Sequence, residues 1–563
     1  MIQSKLCSLA RCSGSLGLRR TAHTPVLASL RRKSTQAMPE YDLSVEYDHL
    51  NGVNGSVNSS MNGDASRLEQ LREQLRVDHV TNGHHPEAQA AAYPIHTGVE
   101  IEAPEFKLYT KSLIKDLMAK RMPGVDHRPY TAVSSVIPMR SNNYVVDELI
   151  DWSNCPEDPI FQLTFPQPAM LHDEDINSVM HLLESGASKV ETRAEIEKIR
   201  DTLNPHPAGQ KELNVPKTGA EELPGLQHKY RETALFFPME AQYCQSFCTY
   251  CFRWAQFTSV GSKQQFSCKE ENVIHKYLKA NRNISDVLFT GGDPMVMKAH
   301  HFRKYLDPIL ADPDMDQLAT IRIGTKSLAY WPYRYLTDPD SDDLLRVFEN
   351  VVASGRHLSI MAHFSHPAEL STPAVREAIR RIRATGAQIR TQAPIINHVN
   401  ADAKIWADKW RMETRLGLVP YYMFQARDTG ARDYFKVSLE HAYNTFTKAY
   451  SAVAGTARTV RGPSMSCEPG KVHVVGITEV NGEKVFVLKF LQARDPKWSD
   501  KVFFAQYDPE ASWVSDLKPA FGAEKFFYED GLQAIARAPT SSGQLFDFDA
   551  DMGYDAQRYL MRS

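Results

Sequence analysis

Residues 243–257 read YCQSFCTYCFRWAQF, with cysteines at 244, 248 and 251. A disulfide would use two of them and strand the third, and a structural zinc ion takes four protein ligands. Three thiolates at C-x3-C-x2-C spacing can hold three corners of a [4Fe–4S] cluster and leave one iron open for chemistry. Zinc, with Cys268 or Cys467 as a fourth ligand, is the other reading of the same triplet.

The chain around this stretch sets its place in a fold. Directly before it runs TALFFPM (233–239), and five more apolar runs follow: SDVLFT (285–290), LATIRIG (318–324), HLSIMAHF (357–364), AQIRTQAP (387–394) and LVPYYMF (418–424). Amphipathic stretches such as FRKYLDPIL, DDLLRVFENVVASG, PAVREAIRRIRATG and AKIWADKWRMETRLG separate them. Nearly continuous apolar strands alternating with helices predict a parallel sheet in an α/β protein, curled into a partial (β/α)6 barrel over 226–430. Barrel chemistry sits on the loops after the strands' C-terminal ends, which is where the cysteine stretch falls. FKLYTKSLIKDLMAKRM and HDEDINSVMHLLESG predict an N-terminal helical layer over 96–225. The region 431–563 follows the barrel, and its FFAQYDPEASWVSDLKPAF reads as folded chain that caps the barrel or joins subunits.

Composition narrows the partner. The 563 residues carry 65 Lys plus Arg against 68 Asp plus Glu, a net charge of −3 that gives no electrostatic case for nucleic acid or a membrane surface. No run of about 18 apolar residues occurs. Eight cysteines are too sparse for a secreted disulfide framework, so a reducing interior is expected. Residues 1–39 hold seven Lys or Arg and no acid, the composition of a mitochondrial or plastid transit peptide; a disordered basic tail on a cytoplasmic protein is the alternative. Residues 40–95, Asn-, Gly- and Ser-rich, read as a linker in which only Leu68–Val77 forms a short helix.

The cysteine motif, with aromatic Tyr250 before its last cysteine and a strand before its first, resembles the radical S-adenosylmethionine (SAM) enzymes. FTGGDP (289–294) resembles that family's glycine-rich loop, and IRIGTK (321–326), HFSHP (363–367) and RTQAP (390–394) resemble segments of its lysine 2,3-aminomutase subgroup. The resemblance runs from GLQHKYRETALFF (225–237) to EPGKVHVVG (468–476). It implies that the open iron is chelated by SAM, whose reductive cleavage gives a 5′-deoxyadenosyl radical. Gly291 and Gly292 would let backbone approach the methionine amino group, with Asp293 available for charge pairing. His363 and Gln392 would line the cofactor pocket, or are satisfied core polar residues.

The subgroup also uses pyridoxal phosphate (PLP), held as a Schiff base by a lysine that matches Lys471 in SCEPGKVHVV (466–475). Lys229 matches a basic residue at the PLP phosphate, or is a surface cation. Arg253 matches the arginine that pairs with the substrate α-carboxylate, or is a counter-charge for the cluster. The reaction implied is hydrogen removal from carbon 3 followed by migration of the α-amino group, an isomerisation that needs an electron donor and an amino acid substrate.

Departures from the pattern bear on that substrate. Arg427 and Ser464 stand where lysine-specific members have aspartates, so a lysine substrate is put in doubt and an acidic one such as glutamate gains. Asp428, one residue on, would restore an acid. Phe424 replaces a tyrosine, and Thr233 an arginine for which Arg231 is the candidate substitute. An isomerase of a protein-bound lysine and a non-catalytic iron–sulfur or zinc protein are the rival readings. Homo-oligomerisation is left open, and Cys268 and Cys467 have no assigned role.

Overall fold

In a computed structural model of the chain, residues 101–204, 213–218, 221–257, 266–270 and 272–537 are described. The expected transit peptide, linker and Leu68–Val77 helix lie outside them. The described residues all belong to one unit.

The main sheet has eleven strands in sequential order: β1 (Leu226–Tyr230), β2 (Thr233–Phe236), β3 (Asp286–Phe289), β4 (Thr320–Thr325), β5 (His357–His363), β6 (Gln388–Ile395), β7 (Val419–Gln425), β8 (Arg461–Ser466), β9 (Gly470–Val480), β10 (Glu483–Ala493) and β11 (Val502–Gln506). Strands β2 to β7 are the six apolar runs of the sequence, and they pair in parallel as expected. The sheet extends beyond them. β1 pairs antiparallel with β2 at one edge, β8 adds in parallel to β7, and β9, β10 and β11 continue as antiparallel hairpins. FFAQYDPEASWVSDLKPAF accordingly supplies the edge strand β11, and its Trp513 packs in a second core with Phe490, Trp498, Phe503 and Tyr528.

The N-terminal region contributes helices α1 (Ile114–Arg121), α2 (Arg128–Val136), α3 (Pro159–Thr164), α4 (Asp173–Glu184) and α5 (Lys189–Thr202). FKLYTKSLIKDLMAKRM is only partly helical: Leu108–Thr110 forms a strand paired antiparallel with Arg140–Asn142, and the helix starts at Ile114. Lys107 and Asn143 clamp that pairing, through Lys107 N to Asn143 Oδ1 at 2.8 Å and Asn143 N to Lys107 O at 3.0 Å. The layer shares one apolar core with the sheet, in which Val133, Phe161 and Val179 join Phe289, Ile323 and Ile360.

The crossovers are α6 (Val273–Ala280), α7 (Ala299–Ala311), α8 (Ser341–Ala353), α9 (Pro373–Ala384) and α10 (Ala403–Arg415), and α11 (Leu439–Ser451) precedes β8. In α9 the apolar spacing Val375, Ala378, Ile379, Ile382 buries one stripe while Arg376, Arg380 and Arg383 face outward or lie part-buried. Its N-cap is Thr372, whose Oγ1 accepts from Val375 N at 3.2 Å. No helix among the described residues is long and apolar enough to cross a membrane.

Candidate functional site

The chain leaves β2 through a 3-10 turn at Met239–Ala241 and enters the cysteine loop. Hydrogen bonds clamp that loop between two layers. On the sheet side, Gly292 N donates to Ala241 O at 2.8 Å and Asp293 N to Tyr243 O at 2.9 Å. On the helical side, Phe247 N donates to Arg140 O at 2.8 Å, Thr249 N to Leu163 O at 2.9 Å, Ser246 Oγ to Arg140 O at 3.1 Å and Asn142 Nδ2 to Gln245 O at 3.3 Å. The two glycines have a local reason. A Cβ on Gly292 would stand 2.6 Å from Tyr243 O, and one on Gly291, whose φ is +152°, would stand 2.7 Å from Ala241 O. The space a side chain would fill is occupied by the cysteine loop itself, so the glycine pair first serves to seat that loop.

All three cysteines are free. Burial pushes each thiol's pKa up, to about 12 for Cys251; Cys248 and Cys251 push Cys244 up further, and Cys248 does the same to Cys251. Each also has a cation of its own working the other way: Arg140 on Cys244, Lys326 on Cys248 and Arg253 on Cys251. The Cys248 thiol reaches the Tyr330 hydroxyl at 3.6 Å. Neither candidate fourth ligand joins them, because Cys268 Sγ donates to Glu270 O at 3.3 Å and Cys467 Sγ to Gly470 O at 3.2 Å. Among the described residues no three His, Cys, Asp or Glu side chains converge on a single metal position. The donor set, three reduced thiols with one cation each and no fourth protein ligand among the described residues, fits an iron–sulfur cluster with an open corner better than closed tetrahedral zinc.

Asp293 differs from the expectation. It is buried, and its carboxylate accepts from Thr325 Oγ1 at 2.6 Å, Met295 N at 3.0 Å and Lys326 N at 2.8 Å, so it ties the turn after β3 to the turn after β4. It is a committed structural acceptor rather than a free charge. His363 and Gln392 lie opposite each other on β5 and β6, with Gln392 Nε2 2.8 Å from His363 Nε2. Burial, with Lys326 and Lys409 adding to it, lowers His363 to about 3, so the ring is neutral.

The sequence reading did not single out Lys326. Its Nζ meets Glu369 Oε1 at 2.6 Å and lies 4.6 Å from the Tyr330 ring centroid. Glu369 is fully buried, and a second buried pair, Lys409 with Glu413 at 3.2 Å, stands behind it. The lysine of IRIGTK at the end of an apolar strand was the available signal; its acidic partner, 43 residues away, had none.

A second group of cations runs from the cysteine loop to β9. Arg253 and Arg427 both lie against the Phe252 ring, 5.2 and 4.7 Å from its centroid. Burial lowers Arg253 to about 10, with Arg427 contributing. Arg427 and Lys471 both act on Lys229, which burial brings down to about 7 and whose ammonium donates to Cys467 O. Lys471 is likewise lowered to about 7, by burial first and then by Arg322 and Arg461. Its Nζ sits 4.2 Å from the Tyr422 ring centroid and 5.6 Å from that of Phe424. Tyr422, two residues earlier on β7, is a hydroxyl-bearing ring beside Lys471, and its hydroxyl faces Arg461 at 3.5 Å. Arg322 is the arginine acting most on Lys471, and it pairs with Asp286, which Thr233 also contacts at 2.8 Å. Burial lowers Arg427, with Tyr230 and then Asp428 opposing it, and Ser464 is buried against Met423 O at 3.4 Å. Arg253, Arg427 and Lys471 form no ion pair among the described residues.

Arg253, Arg427, Lys229 and Lys471 are each part-buried, and burial disfavours the charged form of every one. The cations here outnumber the carboxylates acting on them, Asp428 and Asp286, a balance that suits an anion.

The chain is similar to proteins named as amino acid 2,3-aminomutases. It is 28% identical over 406 residues to a putative L-lysine 2,3-aminomutase of Aquifex aeolicus, covering 72% of this chain and 94% of that protein. It is 28% identical to glutamate 2,3-aminomutase of Clostridioides difficile, over 35% of this chain and 43% of that one, and 26% identical to L-lysine 2,3-aminomutase of Haemophilus influenzae, over 46% and 71%. No family model matches the chain. A solved radical SAM methyltransferase from Kitasatospora setae, with cobalamin and a [4Fe–4S] cluster bound, overlaps at a TM-score of 0.25 and 15% identity over 40% of this chain and 41% of that one, too slight to bear on the fold.

Proposed function

We propose that this chain is a radical SAM, PLP-dependent amino acid 2,3-aminomutase, an isomerase that moves an α-amino group to carbon 3 of an acidic amino acid such as glutamate, within a partial (β/α)6 barrel. The observation that carries the reading is the continuous line of groups from Cys251 through Arg253, Arg427 and Lys229 to Lys471. It links a three-thiol loop to an amine lowered to about 7.

Cys244, Cys248 and Cys251 would hold the cluster, and Lys229 and Lys471 the PLP. Bound together with SAM, these groups supply one-electron hydrogen abstraction and a conjugated nitrogen-carrying system. The protein's own part is placement. Lys471 presents a neutral amine near pH 7 because burial and two arginines disfavour its ammonium form. Arg253 offers a planar fork to the α-carboxylate, and Arg427 a second fork to a side-chain carboxylate. A lysine substrate would bring its ammonium against Arg427, a repulsion inside an enclosed site. The burial of His363 and Gln392 keeps water from reactive species on that side of the site. Similarity to a protein named glutamate 2,3-aminomutase supports the acidic substrate.

The test is anaerobic incubation of iron- and sulfide-reconstituted protein with SAM, PLP, a reductant and a panel of amino acids, with β-amino acid detection. Conversion of glutamate or aspartate but not lysine is expected. Turnover of lysine alone would overturn the assignment of Arg427, and absence of SAM cleavage with an intact cluster would overturn the enzymatic reading.

A further inference from the structure

Of the three thiols, Cys244 also borders a cavity of about 240 Å³ that opens on the surface, together with Phe106, Arg140, Tyr243, Lys298 and Trp331. Cys248 and Cys251 do not line it. Two aromatic rings stand at its rim with much of their surface in solvent: Tyr243, next to Cys244 in the chain, is 47% exposed and Phe106 is 40% exposed. Phe106 is braced edge-on by Trp331 at 4.7 Å, and the Arg140 guanidinium lies 5.7 Å from the Tyr243 ring centroid.

The charge at this mouth is positive and incompletely paired. Arg140 forms no ion pair among the described residues, and its buried Nε has no acceptor. Lys298 is about half exposed and approaches Asp340 only at 3.8 Å, while that carboxylate already accepts from Arg334 at 3.0 Å and from Ala299 N at 2.6 Å. Asp338, the acid lining the cavity, accepts from Trp331 Nε1 at 3.2 Å.

We propose that this mouth is the docking surface for an acidic, low-potential one-electron carrier protein, and that Cys244 is the cluster ligand through which its electron enters. The proposal rests on the reading of the three cysteines as cluster ligands. In the step itself the reduced carrier loses one electron, the cluster gains it, and no bond forms or breaks. Electron transfer falls off steeply with distance, so a donor is best placed over the ligand that reaches the surface. Charged rims of this kind set encounter rate and salt dependence more than affinity, as befits a small, transient redox interface.

The experiment compares cluster reduction in reconstituted protein by a reduced acidic flavodoxin and by dithionite, an ion too small to need a docking surface. Lys298→Glu is expected to slow reduction by flavodoxin at least threefold at low ionic strength, and Lys298→Gln to slow it less. Neither is expected to change the dithionite rate, and added salt is expected to slow the parent protein more than Lys298→Glu. Lys404→Glu, a charge reversal on α10, is the control and is expected to leave both rates unchanged. Equal flavodoxin rates in parent and Lys298→Glu, or an equal loss in Lys404→Glu, overturn the docking surface alone. A protein that dithionite does not reduce overturns the cluster assignment, and the docking proposal with it.

Discussion

Arg253 and Arg427 share one aromatic platform: both guanidinium groups lie within 5.2 Å of the Phe252 ring centroid, and Arg427 lowers the pKa of Arg253. Two like charges buried together, offset only in part by Asp428 beside Arg427, cost stability in the empty protein. Arg427→Met is therefore expected to be neutral or stabilising by about 1 kcal/mol in chemical denaturation of the apo-protein. The same change is expected to abolish the rise in melting temperature that a dicarboxylate gives the parent protein. A marked loss of apo-protein stability in Arg427→Met would contradict this account.

Gly292 seats the cysteine loop. Alanine there places a Cβ 2.6 to 2.8 Å from three backbone atoms of Tyr243, which have no flexible end to move aside. Gly292→Ala is expected to cost about 1–3 kcal/mol of stability and to lower the iron bound per chain after reconstitution. Full iron loading at parental stability would show that the loop seats itself without the glycine.

Lys471 gives a pH dependence with a definite sign. Its amine is lowered from 10.5 to about 7, so it is protonated and unreactive below that pH and nucleophilic above it. Formation of the visible imine band with added PLP is expected to rise with a midpoint near 7. Lys471→Ala is expected to lack the band at every pH, and a midpoint near the ordinary lysine value would refute the effect of the enclosure.

Lys326 and Glu369 form a buried pair beside Cys248. Lys326→Met leaves Glu369 buried and uncompensated, with an expected loss of about 3–5 kcal/mol. The double change Lys326→Met with Glu369→Leu is expected to recover most of it. A double variant as unstable as the single one would mean that the pair does not act as a unit.

The six parallel strands were legible because each is an apolar run bounded by turns, and burial on both faces leaves a strong, local mark in sequence. The helix expected from Phe106 was not wholly formed, because Leu108–Thr110 pairs with Arg140–Asn142, a contact no local pattern announces. The antiparallel extension of the sheet was not foreseen as strands: FFAQYDPEASWVSDLKPAF read only as folded chain, and part of it is the edge strand β11. The glycines of FTGGDP were picked out by type, but their immediate neighbour, the backbone of Ala241 and Tyr243, emerged only in three dimensions.

By itself the sequence determined the inventory: three cysteines at cluster spacing, a strand before them, a lysine after a Pro-Gly turn, and an arginine where an acid was expected. The first three are facts of type and short-range order, which hydrophobic periodicity and spacing encode; the arginine stands out only against the pattern of the family that the sequence resembles. Only the tertiary structure decided which cation faces which thiol, that Asp293 is spent on the backbone, that Tyr422 rather than Phe424 brings a hydroxyl-bearing ring to Lys471, and that Cys244 alone of the three borders the surface cavity. Those relations join residues far apart in the chain, and they are fixed by packing of the sheet against its helical layer, a property that no single segment carries.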